Sequence, residues 1–143
     1  MGLNASVYKN KSHLPADPEI QDVQRDAITG ELYYSDETER KYPQDFFKAT
    51  SKRLGNIAQI SALREEIEQT SGAIPDFLGS RVLYSPTHCG DVIEVADLDQ
   101  LAAEIRLVSL KAGEQASTSL KCFVEDMSEL ISSARREQNP IVF

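Results

Sequence analysis

The sequence predicts an α+β fold that is mostly helical, with a small sheet formed by N-terminal and central short strands. Three observations support this class. Apolar residues recur every three or four positions along three stretches of the chain, which is the helical period. Near the N-terminus they alternate with polar residues, which is the period of a strand. Finally, 143 residues, of which 41% are hydrophobic, suffice for a single globular domain spanning residues 1–143.

The first strand is predicted over residues 3–9, where Leu3, Ala5 and Val7 alternate with polar neighbours. Residues 10–44, which we call the acidic segment, are rich in charges and turn residues. We expect a long, loop-rich and partly ordered excursion there, with a short strand at residues 31–34. Residues 45–50 are predicted to form a helical turn that places Phe46 or Phe47 in the core.

A firm helix is predicted from the Gly55-Asn56 interruption to about Thr70, and Gly72 ends it. Residues 74–84 fit either a helix that begins near Pro75 or a strand. The apolar stripe of the firm helix consists of Ile57, Ile60, Leu63 and Ile67.

The second long helix is predicted to begin after Asp97, with Asp97 as its N-cap, Gln100 as the capping-box partner and Gly113 as its end. The third runs over residues 118–138, with Ser117 as its cap and Pro140 after its end. The apolar tail, residues 141–143, is expected to dock as an edge strand. The buried face of the third helix is predicted to hold Leu120, Phe123, Val124, Met127, Leu130, Ile131 and Ala134.

The net charge of −8 excludes phosphate-based binding to nucleic acid and attraction to an anionic membrane surface. Residues 15–45 hold nine acidic and three basic residues, a net charge of −6. Solubility alone is one interpretation, and a surface for a basic protein partner is the other. The candidate partner-binding residues are Asp17, Asp22, Asp26, Glu31, Asp36, Glu37 and Glu39.

A second candidate site lies in the central segment, where His88, Cys89 and Asp91 fall within four residues. Such residues could serve a cysteine enzyme or bind a metal. However, neighbours in an extended segment point in opposite directions, so His88 is poorly placed to activate Cys89. A structural turn at Gly90 is the competing interpretation, so we assign no catalytic residue, metal ligand or cofactor.

The chain has two cysteines and no signal peptide or apolar run long enough for a membrane span, so we expect a cytoplasmic protein with reduced thiols.

Four short segments carry a resemblance to known proteins: Met1–Tyr8, Lys52–Asn56, Thr87–Asp91 and Asn139–Phe143. In these segments the chain resembles small, uncharacterised bacterial and phage-associated proteins that begin Met-Gly-Leu-Asp/Asn. Some of those proteins are thought to be immunity proteins of bacterial toxin systems. The resemblance implies a protein that neutralises a toxin, and it assigns no functional residue.

Three hypotheses about function follow from these patterns. The first is a non-enzymatic acidic binding protein, most concretely an immunity-type protein that neutralises a basic toxin. The second is a small enzyme or metal-binding protein that uses His88, Cys89 and Asp91, which predicts that His88 lines a cleft. The third is a helical homodimer with a structural role. A purely structural role for His88 predicts that its ring is buried and hydrogen-bonded.

Overall fold

The computed structural model describes residues 2–21, 24–28, 32–33 and 36–143. The described residues have the predicted α+β fold, in which helices form the majority and the main sheet is antiparallel. The strands are β1 (Gly2–Tyr8), β2 (Gln24–Arg25), β3 (Leu32–Tyr33), β4 (Lys48–Asn56), β5 (Val92–Ile93) and β6 (Ile141–Val142). The helices are α1 (Pro18–Gln21), α2 (Asp36–Lys41), α3 (Ile57–Ser71), α4 (Asp76–Arg81), α5 (Leu98–Ala112) and α6 (Thr118–Glu137).

The main sheet has the strand order β4-β1-β6-β5, and each neighbouring pair is antiparallel. The predicted N-terminal strand forms β1, which pairs along its whole length with β4. The C-terminal tail docks on the sheet, as predicted, but not at an edge. Strand β6 lies between β1 and β5, with Val142 opposite Ser6 on one side and opposite Val92 on the other. The tail therefore joins the two halves of the sheet.

Strand β4 is the main element that the sequence did not predict. The expected helical turn at residues 45–50 is a 3-10 turn over Gln44–Phe47, and Phe47 is buried as expected. The chain then becomes extended for nine residues. In the pairing of β4 with β1, Lys52 lies opposite the buried Ala5 and Thr50 lies opposite the buried Val7. Because polar residues occupy these inward positions, β4 lacks the apolar alternation that reveals a strand.

The three long helices form two layers over the sheet. Helices α3 and α6 pack against β1 and β4, and α5 packs against both helices. Ile57 is an exception to the predicted stripe of α3, because it is the first residue of the helix and 46% of it is exposed. Val124 of α6 is only partly buried. The predicted stripes of α3 and α6 otherwise form the core together with one face of α5. The buried residues of the three helices are Ile60, Leu63, Ile67, Leu98, Leu101, Ile105, Val108, Leu120, Phe123, Met127, Leu130, Ile131 and Ala134.

The helix ends follow local chemistry, with one correction. Gly72 ends α3 in the left-handed conformation at φ 79°, and Ser117 caps α6 as predicted. Asp97 does not cap α5, since its backbone is already helical and its side chain bonds no backbone N–H. A 3-10 turn over Val95–Asp97 leads directly into α5, so the extended backbone that an N-cap requires is absent at Asp97.

The ambiguous region at residues 74–84 contains helix α4, followed by the fully buried Val82 and Leu83. A carboxylate from another helix caps α4. Glu104 Oε1 of α5 accepts hydrogen bonds from Phe77 N at 3.0 Å and Leu78 N at 3.3 Å. These bonds satisfy amide groups that the first turn of a helix leaves unpaired.

Within the acidic segment, the described residues include α1, the antiparallel pair β2 and β3, and α2. A second apolar cluster, separate from the main core, fixes it to the sheet. Tyr8, Ile20 and Phe47 are buried in this cluster, and Val142 of β6 packs against it. Aromatic rings strengthen the contact, with the Phe46 ring centroid 4.8 Å from that of Tyr42. The acidic segment is therefore anchored on the sheet rather than loosely attached.

Replacing Ser117 by alanine should lower the free energy of unfolding by about 1 kcal/mol, because its Oγ accepts the Leu120 amide at 3.1 Å. Asp97→Ala should change it by less than about 0.5 kcal/mol, since Asp97 forms no cap bond. Urea unfolding of both variants measures the difference. A larger loss for Asp97→Ala than for Ser117→Ala would contradict these cap assignments.

Phe123→Ala should cost about 3–5 kcal/mol, because Phe123 is only 2% exposed and its loss leaves a cavity in the main core. The matched control is Ile57→Ala, at the exposed start of α3, which should cost less than about 1 kcal/mol. Thermal and urea unfolding measure both values. If the two variants were equally stable, Phe123 would not belong to the core.

Candidate functional site

Two of the predicted partner-binding acids are used inside the acidic segment itself. Asp17 Oδ2 accepts a hydrogen bond from Lys41 Nζ at 3.0 Å and another from the Tyr42 hydroxyl. Asp17 thus ties the start of α1 to the end of α2. Asp26 Oδ1 accepts the backbone N–H of Ile28 at 2.8 Å, which stabilises a turn. Both carboxylates form hydrogen bonds within the segment, so they are less available for contacts with a partner.

Asp36 and Glu37 differ from these two acids. They begin α2, both are exposed, and neither forms an ion pair with any residue that the structure describes. Glu39 follows on the same helix, although only its backbone is described. Asp22 and Glu31 lie outside the described residues. Among the described side chains of the predicted surface, those at the start of α2 thus face solvent without an ion-pair partner.

Two further exposed side chains belong to the same region, and the prediction did not include them. The Asp45 side chain is 90% exposed, and its only ion-pair contact among the described residues is with Lys48 Nζ at 3.9 Å. Ile28 is 71% exposed in the turn after β2. Asp45 was within the predicted charge-rich stretch, but the sequence carried no signal that Ile28 faces solvent.

A buried carboxylate holds the beginning of the acidic segment. Glu137, at the end of α6, is 4% exposed. Its Oε2 accepts the Asn10 backbone N–H at 2.9 Å and also bonds His13 Nδ1, while its backbone carbonyl accepts Asn10 Nδ2 at 3.0 Å. Its Oε1 lies 3.4 Å from Arg136 Nε. We call this group, Asn10, His13, Arg136 and Glu137, the Glu137 latch.

Burial raises the pKa of Glu137, but hydrogen bonds from the Asn10 backbone, His13 and Arg136 outweigh it and hold the pKa below its ordinary value. The carboxylate is therefore ionised at neutral pH. The sequence contained a signal for this group. Glu137 follows Ala134 by three residues on the buried stripe of α6, and a charged residue in such a position needs a partner.

The His88 ring is also enclosed. Its side chain is 5% exposed, and it lies between the Tyr84 and Phe143 rings, with centroid distances of 4.5 Å and 5.0 Å. Nε2 donates to the Val82 carbonyl at 2.9 Å, while Nδ1 makes an ion-pair contact with Asp91 Oδ2 at 2.7 Å rather than a well-aligned hydrogen bond. The ring is thus buried, hydrogen-bonded through Nε2 and turned toward a carboxylate through Nδ1, an arrangement typical of a structural histidine.

The Tyr84 hydroxyl donates to Asp91 Oδ2, and this hydrogen bond is the main cause that holds the pKa of Asp91 below its ordinary value. Partial burial of Asp91 opposes the shift, and His88 supports it. The same bond raises the pKa of Tyr84. Cys89 is exposed and forms no hydrogen bond with this network among the described residues, and its only part in it is a minor electrostatic contribution to the raised pKa of Tyr84. The structure thus brings His88 and Asp91 together and leaves Cys89 apart.

The segment that carries His88 binds the C-terminal residue through backbone hydrogen bonds. Gly90 adopts φ 81°, a conformation that favours glycine. Its N–H donates to the Phe143 carbonyl at 2.6 Å, and Phe143 N donates to the Asp91 carbonyl at 2.9 Å. The turn predicted at Gly90 therefore holds Phe143, whose ring covers His88. This arrangement can position β6 in the sheet, and it leaves His88 Nε2 bonded to a backbone carbonyl and Nδ1 facing the Asp91 carboxylate inside the protein.

Within the described ranges, no group of three or more His, Cys, Asp or Glu side chains is placed to hold a metal ion. In that same part of the chain, no helix has both the length and the apolar composition needed to cross a bilayer. Neither protein-family profiles, nor curated proteins, nor solved structures gave a match to this chain. Its function must therefore be inferred from its own geometry and charge.

Glu137→Gln should lower the free energy of unfolding by about 1–3 kcal/mol at pH 7, because it leaves the donors of the latch poorly paired. Because the pKa of Glu137 is lower in the folded protein than in the unfolded chain, its ionised carboxylate stabilises the fold at pH values above the ordinary carboxyl pKa. This contribution is lost as the pH falls through the folded-state pKa. The difference from wild type should therefore shrink below about pH 4. Urea unfolding between pH 7 and pH 3.5 measures this dependence.

The control for this experiment is Glu125→Gln, which removes an exposed carboxylate from the same helix. Its stability should follow that of wild type at every pH. A Glu137→Gln defect of constant size from pH 7 to pH 3.5 would show that the ionised carboxylate is not what stabilises the latch.

Proposed function

We propose that this chain is a non-enzymatic binding protein for a basic protein partner, and most specifically an immunity-type protein that neutralises a basic toxin. One observation carries the proposal: Asp36 and Glu37 are exposed, form no ion pair with any residue that the structure describes, and stand on a segment that is fixed to the sheet. The resemblance to proteins thought to confer immunity supports the narrower form of the proposal.

Anchoring matters because an attractive surface charge helps association most when its position is fixed. The second apolar cluster holds the acidic segment near its end, and the Glu137 latch holds it near its beginning. The Asp17 contacts with Lys41 and Tyr42 fix α2 relative to α1. The conformational entropy of the segment is then lost on folding and not on binding, which favours fast and specific association with a partner.

The distribution of charge favours recognition over solubility alone. Residues 15–45 carry a net charge of −6, out of −8 for the whole chain. Charges that serve only solubility would be expected on all helix faces, whereas this charge is concentrated on one segment. A basic partner surface would be attracted to it over about 8–10 Å at physiological ionic strength.

The enzyme hypothesis has less support from the geometry. Catalysis by His88 requires a ring nitrogen that can reach a substrate, whereas Nε2 is bound to the Val82 carbonyl and Nδ1 contacts Asp91. We therefore assign His88, Asp91 and Gly90 the role of holding Phe143. Both cysteines are free and exposed, which suits a reducing compartment such as the cytoplasm.

The test begins with capture of the partner from the native host at low ionic strength, followed by association rates measured from 20 to 500 mM salt. The variant Asp36→Asn/Glu37→Gln should associate about tenfold more slowly at low salt and should lose most of its salt dependence. The matched control is Glu65→Gln/Glu68→Gln, which removes two exposed carboxylates from α3 and should associate like wild type.

Equal rates for the two double variants, or a partner whose association ignores salt, would contradict the proposed surface. The immunity form has its own readout. Expression of the captured partner alone should stop the growth of a test strain, and coexpression of the wild-type chain should restore it. If the partner binds but does not affect growth, the chain is a binding protein of another kind.

A further inference from the structure

An open groove runs between α5 and α6. It consists of two adjoining cavities of about 350 Å³ and 230 Å³, and because Ser109 and Val124 line both, they form one continuous depression. The first cavity joins Ala102, near the start of α5, to Arg135, near the end of α6. The second joins the end of α5 to the start of α6. The groove therefore follows two antiparallel helices for about three turns.

The floor of the groove is apolar and only partly covered. Ala102, Ala116 and Val124 pack against the main core but stay partly exposed. Leu110 also lines the groove and is 70% exposed. Val124 belongs to the stripe that the sequence predicts to be buried, so α6 carries more apolar surface than the core covers. Apolar residues that gather around a depression, unlike exposed residues that stand singly, indicate an interaction site.

Basic side chains recur along the groove, although the chain as a whole is acidic. Arg135 lies at one end, Arg106 near the middle and Lys121 at the other end, with Glu125 as the one acidic residue of the described lining. Arg135 contacts Asp99 at 2.7 Å. Arg106 and Lys121 are exposed and form no ion pair with a residue that the structure describes. Three bases against one acid make the lining positive in a chain of net charge −8.

From these features we infer that the groove binds an acidic amphipathic helix of a partner protein. The apolar stripe of such a helix lies along the floor and packs against Leu110. Acidic side chains that flank the stripe face Arg106 and Lys121. An apolar groove that receives one face of an amphipathic helix is a recurring mode of peptide recognition. The small side chains of the floor leave room for the larger ones of the incoming helix.

The groove suits a helix better than an extended segment. Its walls are α5 and α6, whose internal backbone groups are already bonded within each helix. An extended segment needs backbone partners, which these walls do not offer, whereas a helix satisfies its own backbone groups. The partner helix therefore binds through its side chains alone.

Charge distinguishes this partner surface from the one proposed for the acidic segment. A basic segment would be repelled by Arg106, Lys121 and Arg135, whereas an acidic one is attracted. A second copy with its groove facing the first would bring the same excess of bases, so it fits less well. The described lining contains no residue of the acidic segment. The inference therefore does not rest on the proposed function.

Two fluorescein-labelled peptides of about 15 residues test the inference. Both carry leucines at every third or fourth position, and the residues beside this stripe are glutamates in one peptide and lysines in the other. Fluorescence anisotropy should show that wild type binds the glutamate peptide, although general repulsion by a chain of net charge −8 opposes this. Any binding of the lysine peptide should be unaffected by changes in the groove.

Leu110→Asp should raise the Kd of the glutamate peptide about tenfold or more, because it removes an interface anchor. Arg106→Glu/Lys121→Glu should also raise this Kd about tenfold. The matched controls are Leu107→Asp and Lys111→Glu. They change exposed residues of α5 that do not line the groove, and they should bind like wild type. Circular dichroism should show the same helix content for all variants, since these positions are exposed.

Asp36→Asn/Glu37→Gln should also bind the glutamate peptide like wild type, which separates this result from a test of the proposed function. No binding of the glutamate peptide by wild type, or an equal loss in the matched controls, would overturn the inference. So would a dimer in sedimentation velocity that Leu110→Asp dissociates, because a second copy would then occupy the groove. Saturable binding of dodecanoate that Leu110→Asp abolishes would assign the groove to a lipid instead.

Discussion

The insertion of β6 between β1 and β5 is the constraint on which the rest of the structure depends. Without it, β1 and β4 would form a two-stranded ribbon, and β5 would have no neighbour in the main sheet. The chain reinforces this insertion on both sides. Asn139 Nδ2 donates to the Tyr8 carbonyl at 2.7 Å, and Phe143 is held by the turn at Gly90. The polar residues near the C-terminus are thus committed mainly to closing the sheet.

The same region of the chain also determines where the acidic segment lies. Glu137 immediately precedes the chain reversal that leads into β6, and its carboxylate binds Asn10 and His13 just after β1. Val142 of β6 contributes to the cluster that supports Phe47. The sheet and the second apolar cluster share Tyr8 and Val142, and the latch follows β1 and precedes β6 in the chain. A change at the C-terminal end is therefore expected to affect the support of the acidic segment. The architecture and the proposed recognition surface are physically coupled in this way.

The helices were predictable because their signals are local. The apolar stripes of α3 and α6, the left-handed glycine Gly72 and the cap Ser117 depend on neighbours in sequence, and the structure contains them except for two stripe residues, Ile57 and Val124. Asp97 fitted the cap pattern equally well, but the preceding 3-10 turn had already given its backbone a helical conformation. A pattern of side chains identifies a cap only when the backbone before it is extended.

The sheet and the candidate site were harder to predict because their signals are remote in sequence. The inward position of Lys52 is explained by Asp126 and Glu129, which lie more than seventy residues later and whose carboxylates are 3.5 Å or less from its ammonium group. The acidic character of residues 10–44 was readable, but which acids face solvent was not. Asp17 and Asp36 look equivalent in the sequence, and only the fold shows that one is paired with Lys41 and Tyr42.

The composition that hid β4 has a consequence for the behaviour of the chain in a crowded solution. Among the described strands, β4 has β1 as its sole neighbour, so its other edge is open along nine residues. An open edge of this length can template the growth of intermolecular sheets and, in time, fibrils. Lys48 and Arg53 place positive charge along it, and two such edges repel each other. The basic residues thus act as gatekeepers that keep the chain from polymerising through its longest strand.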